Sequence, residues 1–385
     1  MKVTYYCQHV LGIGHFYRSL EICRALAAEF PTTLILGGPD VRFDRGAIEV
    51  VSLPGLMMDR NFENLAPCTP GRTLDQTKEL RQRLLFDYFQ QKRPDVFITE
   101  LYPFGRKAFR FELDPILEGV KNSSLGPCIC LSSVRDILVE KKEGQEKYQQ
   151  KVIDTLNTYF DGVLVHSDRG VIALESSFPR LDEIRCPLHY TGFVAPKVDG
   201  VGNKGIRTRQ QIGDDAKLIV ASIGGGNVGS ELLFATVAAF RSLVGRNSGN
   251  YHLQVFTGPY CSDEAFDQLK KEQAANIRID RFTDSFIHWL EAADLSVSMG
   301  GYNTCMNLIR TGTPALIYPF DQNREQAVRA ARLSETMPFS LLTKDDMETT
   351  RFGAKLASQL CKQRSATKIN LDGAAQTVRI ISNLR

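Results

Sequence analysis

The sequence predicts an α/β protein built of two doubly wound parallel-sheet domains. Its length of 385 residues exceeds what one hydrophobic core usually serves. Short apolar runs alternate with helical patterns along almost the whole chain, as in parallel sheets covered by helices on both faces. Three times a strand-like run ends in a glycine-bearing turn that opens at once into a helix: "CQHVLGIGHFYRS", "LIVASIGGGNVGSELL" and "SVSMGGYNTCMNLI".

In the first half the expected strands are "KVTYYCQHV", "TTLILGG", "DVFITEL", "CICLSSV" and "GVLVHS", with helices such as "SLEICRALAAEF" and "DQTKELRQRLLFDYFQQKR" between them. In the second half "KLIVASIG", "YHLQVFTG", "IRIDRF", "LSVSMG" and "PALIYPF" alternate with "SELLFATVAAFRSLV" and "TCMNLIRTG". The boundary falls in the glycine-rich stretch 192–213, which carries Pro196 and has no clear period. The expected division is a first domain at 1–195, a linker at 196–207 and a second domain at 208–385, with the last helix able to pack back on the first domain.

A formal charge of +3 and the lack of an aromatic-interleaved basic stripe argue against a nucleic-acid partner. From Arg351 to Arg385 there are seven basic residues and one acid, Asp372, a bias that suits a solvated helix or a phosphate-bearing partner. The nine cysteines are scattered. Cys128 and Cys130, two apart in a strand and so expected on one face, lack the further ligands of a zinc site, so packed reduced thiols are expected. The chain enters a strand at once without a basic-then-apolar leader, and no apolar run approaches the roughly 18 residues of a membrane span. A cytoplasmic protein is expected. The basic C-terminus and the apolar run Leu56–Met58 would suit peripheral contact with the inner membrane face.

Open parallel sheets bind ligands beyond the carboxyl ends of their strands. A helix N-terminus there offers unpaired N–H groups to an anion, and glycine lets the backbone come close. The turns at Gly224, Gly225 and Gly226 and at Gly300 and Gly301 fit a phosphate, with Asn227 or Ser230 and Thr304 as caps or ligands. Other phosphate motifs are absent. "GIGHFY" has Gly12 and Gly14 but Tyr17 where a dinucleotide fingerprint needs its third glycine, and there is no P-loop, HExxH or DxD motif. No cofactor and no dedicated metal is expected.

Read together, "GIGHFYRSLEICRAL", "IGGGNVGSELL", "VFTGP", "WLEAADLSVSMGGYNT" and "GTPALIYPFDQNREQAVRAARL" resemble the two-domain glycosyltransferases of the GT-B fold. The likeness is greatest to glycosyltransferase family 28. "GIGH", "TELYPFGRKAF" and "GGYNT" are similar to a branch of that family distinct from its peptidoglycan enzyme. The resemblance implies two Rossmann-like domains facing a cleft, with a nucleotide diphosphate sugar, usually a uridine one, held by the second domain. Its donor set would be Gly224, Gly225, Gly226, Asn227, Gly258, Gly300, Gly301, Asn303 and Thr304, with Glu325 and Gln326 reading the sugar hydroxyls. Asn307 stands where many relatives carry a glutamate that grips the ribose, and an amide is a weaker acceptor than a carboxylate.

Inverting sugar transfer needs a base for the acceptor hydroxyl and stabilisation for the leaving diphosphate. His15, just past the first strand, is the first candidate base. Glu100, at the end of "DVFITE", could serve as base or orient His15, and Asp136 is a third candidate. Gly14, Arg18 and Arg106 would line the acceptor side, where Arg18, Arg106 and Lys107 could meet an anionic acceptor. The acceptor, a small molecule or a lipid-linked one, is not legible. Two other readings share the scaffold: a nucleotide-sugar epimerase or hydrolase, and a non-catalytic nucleotide-sugar-binding protein.

Overall fold

The computed structural model describes residues 1–9, 14–58, 64–140, 143–198, 200–246, 249–320 and 324–384. It divides into two compact units, residues 1–194 with 370–385, and residues 195–369.

Unit 1 runs β1 (Val3–Cys7), α1 (Gly14–Ala27), β2 (Thr32–Leu36), β3 (Glu49–Ser52), β4 (Leu56–Met58), β5 (Leu65–Pro67), α2 (Leu74–Lys92) and β6 (Val96–Glu100). It continues with α3 (Arg110–Lys121), β7 (Ile129–Arg135), α4 (Gln145–Tyr159), β8 (Gly162–His166) and β9 (Leu188–Tyr190). Seven parallel strands form one sheet in the order β3-β2-β1-β6-β7-β8-β9. Alternate residues of β1 serve the two faces, as a pleated strand requires. Val3, Tyr5 and Cys7 pack with Phe16, Leu20 and Leu26 of α1, and Tyr6 packs with Leu85, Phe89 and Leu113 of α2 and α3.

Unit 2 runs α5 (Val201–Gln210), β10 (Lys217–Ser222), α6 (Ser230–Arg246), β11 (Tyr251–Phe256), α7 (Asp263–Lys270), β12 (Ile277–Asp280), α8 (Phe286–Ala292) and β13 (Leu295–Met299). Then come α9 (Tyr302–Thr311), β14 (Ala315–Tyr318), α10 (Arg324–Ser334), β15 (Phe339–Leu341) and α11 (Thr349–Leu360). Its six parallel strands take the order β12-β11-β10-β13-β14-β15. Ile219 and Ala221 face the core shared with α6 and α11, where Leu232, Phe240, Phe352 and Leu356 are buried.

The last helix, α12 (Gly373–Ser382), belongs to unit 1 and packs on α1, burying Ile381. The chain is stitched back there by Phe193 N–H to Asn370 O at 2.8 Å and Gly373 N–H to Phe193 O at 2.9 Å. A Cβ at Gly373 would lie 2.4 Å from Gly192 O, so this crossing needs glycine.

Within the stretch 196–207, α5 begins at Val201 and packs on α8. The apolar run Leu56–Met58 is one strand of the antiparallel pair β4–β5, with Leu56 buried and Met57 42% exposed. One expectation is corrected. Cys128 lies just before β7 rather than in it; all nine cysteines are free thiols. No described helix is long and apolar enough to cross a membrane.

Candidate functional site

In unit 1 the strand order reverses between β1, whose crossover α1 leads to β2, and β6 on its other side. Ligands of open α/β sheets collect at such a switch point, beyond the carboxyl ends of the strands. His15 is the second residue of α1, and Glu100, fully buried, is the last residue of β6. The pairing of β1 with β6 brings them together across 85 residues, with His15 Nδ1 2.7 Å from Glu100 Oε1. Arg18, one turn along α1 and also buried, donates from Nη2 to the same oxygen, so its guanidinium serves Glu100 first.

Burial by itself would raise the Glu100 carboxyl, but Arg18, then His15 and Arg106, outweigh it and bring it down to about 2. Burial, then the charge of Arg106, pushes the His15 imidazole down to about 3, against the pull of Glu100. At neutral pH the pair is therefore a neutral imidazole beside an ionised carboxylate. A carboxylate only accepts, so Nδ1 carries the proton and Nε2 holds a lone pair. No described residue bonds Nε2, and the side chain keeps 21% of its surface exposed. This arrangement can take a proton from a bound hydroxyl.

Behind the pair runs a buried polar chain. The Tyr5 and Ser133 hydroxyls are 2.7 Å apart, Ser133 Oγ is 2.8 Å from His166 Nε2, and His166 Nδ1 is 2.9 Å from Thr191 Oγ1. Burial and the charge of Arg18 push His166 down to about 3. A histidine kept neutral in the folded state but protonated near 6.5 when unfolded makes the unfolded state bind more protons. Stability then falls as pH drops from 6.5 toward 3, with a slope of up to about 1.4 kcal/mol per pH unit for each such group. Glu100 acts in the same direction over a lower window: its contribution is present above pH 4.5 and is lost as pH falls through about 2. Urea unfolding of unit 1 is thus expected to show a plateau above pH 7 and a steady loss between 6.5 and 4. A flat profile in that window would show these imidazoles to be solvated.

The other residues of this half divide. Asp136, just past β7 and fully buried, accepts from Ile137 N–H at 2.9 Å, a bond within its own turn. Gly14 opens α1, and Gly12 lies outside the described residues. Arg106 is half-buried at the N-cap of a short 3-10 turn, Lys107–Phe109, and Lys107 is exposed. A cavity of about 330 Å³ opens above the ends of β2 and β3, beside Asp40, Ser52, Thr69 and Arg72. It lies two strands along the same sheet end from the His15–Glu100 pair.

Unit 2 repeats the geometry. Its order reverses between β10 and β13, and the two glycine turns follow these two strands. Gly224 and Gly226 have φ of 69° and 92°, left-handed values that favour glycine. The turn is braced by the loop after β11: Tyr260 N–H donates to Gly225 O at 2.9 Å, and a Cβ at Gly258 would lie 2.4 Å from the Gly225 carbonyl carbon. Around Gly224 and Gly301 a Cβ would meet nothing within 4 Å, so both turns present bare backbone. Asn227 is half-buried in the first turn.

Thr304 does not cap α9. The N-cap is Gly301, without a side-chain bond, and Asn303 and Thr304 lie inside the first turn. Asn307 is one turn further on, its Oδ1 buried and unpartnered among the described residues. Glu325 and Gln326 open α10. Gln326 Oε1 accepts from Phe320 N–H at 3.2 Å, and its carbonyl would lie 3.0 Å from a Cβ at Gly300, so α10 sits directly against the second turn.

Two buried arginines shape these sites without having been singled out in the sequence. Arg329 donates to Gly300 O at 2.9 Å and lies over the Tyr302 ring. Arg81 on α2, fully buried, spends all five N–H groups: on Glu112 through Nε at 2.9 Å and Nη2 at 2.5 Å, on Gly37 O and Pro54 O through Nη1, and on Gln8 Oε1 through Nη2. It thereby ties the ends of β1, β2 and β3 to α3. Each sits on a helix where a charged residue reads as solvated surface.

Residues 220–371 match the glycosyltransferase family 28 C-terminal domain, a stretch that contains both glycine turns and α10. An uncharacterized glycosyltransferase of Methanosarcina mazei is 31% identical over 118 residues, 30% of this chain and 28% of that protein's length. The MurG structure of Acinetobacter baumannii superposes with a TM-score of 0.55 at 12% identity, covering 100% of this chain and 98% of that one. The UDP-GlcNAc 2-epimerase of Methanocaldococcus jannaschii superposes with a TM-score of 0.60 at 12% identity, covering both chains fully at 100%. Residues 220–371 thus carry a glycosyltransferase family 28 C-terminal domain, in a chain that has the two-domain GT-B fold.

Proposed function

We propose that this protein is an inverting glycosyltransferase that moves a sugar from a nucleotide diphosphate donor, a uridine one, to an acceptor hydroxyl. The observation that carries the reading is the His15–Glu100 pair at the switch point of unit 1, in a chain whose second unit is a family 28 domain. The acceptor oxygen attacks C1 of the sugar, and the C1–O bond to the diphosphate breaks with its electron pair passing to the leaving diphosphate. The acceptor's proton passes to His15 Nε2, and the ionised Glu100 stabilises the imidazolium that forms. On the donor side, the backbone N–H groups of the turns at Gly224–Gly226 and Gly300–Gly301 would take the growing diphosphate charge. Glu325 and Gln326 would read sugar hydroxyls and Asn307 the ribose.

This reading needs no metal, so transfer is expected to persist in excess chelator. The test is thermal unfolding of the whole protein with uridine, thymidine, guanosine and adenosine diphosphates and their sugars, followed by product analysis with and without cell extract as the acceptor source. A ligand at about 100 times its dissociation constant adds roughly 2.7 kcal/mol. A selective response to uridine compounds, with transfer only when extract is present, is expected. Conversion of the donor alone would instead identify an epimerase or hydrolase, readings that the likeness to an epimerase fold keeps in view. No response to any nucleotide would defeat the donor assignment.

A further inference from the structure

Three polar atoms near the carboxyl ends of β1 and β6 are sealed from solvent without a hydrogen-bond partner among the described residues: His9 Nδ1, Glu100 Oε2 and Arg106 Nε. Native interiors leave few such atoms, and each calls for an explanation. His9 is 2% exposed and its Nε2 lies 2.8 Å from Pro39 O. A carbonyl only accepts, so Nε2 is the donor and Nδ1 keeps a lone pair. Arg106 has a φ of 56°, a left-handed conformation that costs a non-glycine residue energy and gathers at ligand-holding sites.

The Arg106 guanidinium makes no hydrogen bond or ion pair with any described residue. Glu100, whose charge it feels most among the neighbouring acids, has its Oε1 engaged by Arg18 and His15. Arg135, at the end of the adjacent strand β7, adds a further cation. A guanidinium N–H sealed from water without a hydrogen-bond partner, as at Arg106 Nε, is costly. Its cost is recovered when an anion arrives, because the guanidinium fork presents paired N–H donors to carboxylate or phosphate oxygens.

We propose that Arg106 is the residue that recognises the acceptor, gripping an anionic oxygen group, a phosphate ester or a carboxylate, near the hydroxyl that His15 deprotonates. Naming the ligand an acceptor rests on the sugar-transfer reading; the anion site does not. Glu100 has a place in the same scheme, since it cancels Arg18 and leaves Arg106 as the cation available to the ligand.

The test is a titration of the full chain, labelled with ¹⁵N in its histidine rings, with methyl phosphate and separately with acetate at constant ionic strength. The His15 and His9 signals are expected to move saturably, while His252 and His288 of unit 2 stay. In R106M the affinity is expected to fall on the order of tenfold or more, with R106K retaining part of it. An unmoved His166 signal shows that the variant is folded. A response to methyl phosphate alone identifies a phosphate ester, and one to acetate alone a carboxylate. Equal titration of R106M and the parent overturns the proposal, as does a parent whose His15 signal responds to neither probe. Transfer to an anionic acceptor with undiminished kcat/KM in R106M also overturns it while leaving sugar transfer intact. An Arg106-dependent shift in a protein that transfers no sugar sustains the anion site and removes the transferase reading instead.

Discussion

Sugar transfer by the His15→Ala protein is expected to fall about 10²–10⁴-fold in kcat, the range that a positioned general base supplies, with donor binding to unit 2 unchanged. The imidazole is a weak base in the free protein, since burial and Arg106 hold it at about 3. It gains its power as the proton arrives, because the imidazolium then lies 2.7 Å from an ionised carboxylate. The pH profile is a second signature. The base form of His15 exists above its folded pKa, so kcat/KM is expected to stay level from about pH 5 to 7, without the step near 6.5 of a solvated histidine. Glu100→Gln keeps an acceptor for Nδ1–H but removes the charge, so it should lower kcat while donor affinity holds. An inflection near 6.5 in the parent, or a His15→Ala protein of full activity, would remove His15 from the chemistry.

Arg81→Met is expected to cost about 3–5 kcal/mol, the usual effect of breaking a buried ion pair by removing one partner, and to lower the melting temperature of unit 1 on the order of 10 °C. The loss has two sources. Glu112 Oε2 and the carbonyls of Gly37 and Pro54 lose N–H donors that Arg81 supplied, and the Glu112 carboxylate is left in the core with the Tyr6 hydroxyl as a donor. Adding Glu112→Leu should recover much of the stability, since an apolar pair of similar volume often replaces a buried salt bridge at little cost. A double variant no more stable than the single one would assign the damage to the strand ends that Arg81 ties together. Calorimetry of the three proteins decides.

The central strands were legible because burial on both faces writes them as continuous apolar runs; β1, β6 and β10 begin within one residue of, or at, the expected starts. The strands β3, β9 and β15 were not seen. Each has only three or four residues at or near a sheet edge, and in β3 the pattern is half exposed, so no period can develop. The helix α5 was hidden by Gly202 and Gly205, poor helix formers. Gly202 is there because a Cβ would lie 1.9 Å from the His288 ring on α8, a requirement of packing that no local rule contains.

The candidate site shows the same division. By itself the sequence determined the class: parallel sheets, glycine turns where strands become helices, and His15, Glu100, Gly224–Gly226 and Gly300–Gly301 at strand ends. These signals are local, since they depend on the spacing of apolar residues and on the few residues a tight turn admits. Tertiary structure alone decided that β6 lies beside β1, so that Glu100 meets His15, and that Arg18 joins them while Arg106 stays unpaired. It also decided that Asp136 is buried just past β7 and that Gly301, not Thr304, is the N-cap of α9. The physical reason is that a charge takes its character from its counter-charge and its access to water, and both are supplied here by residues dozens of positions away in the chain.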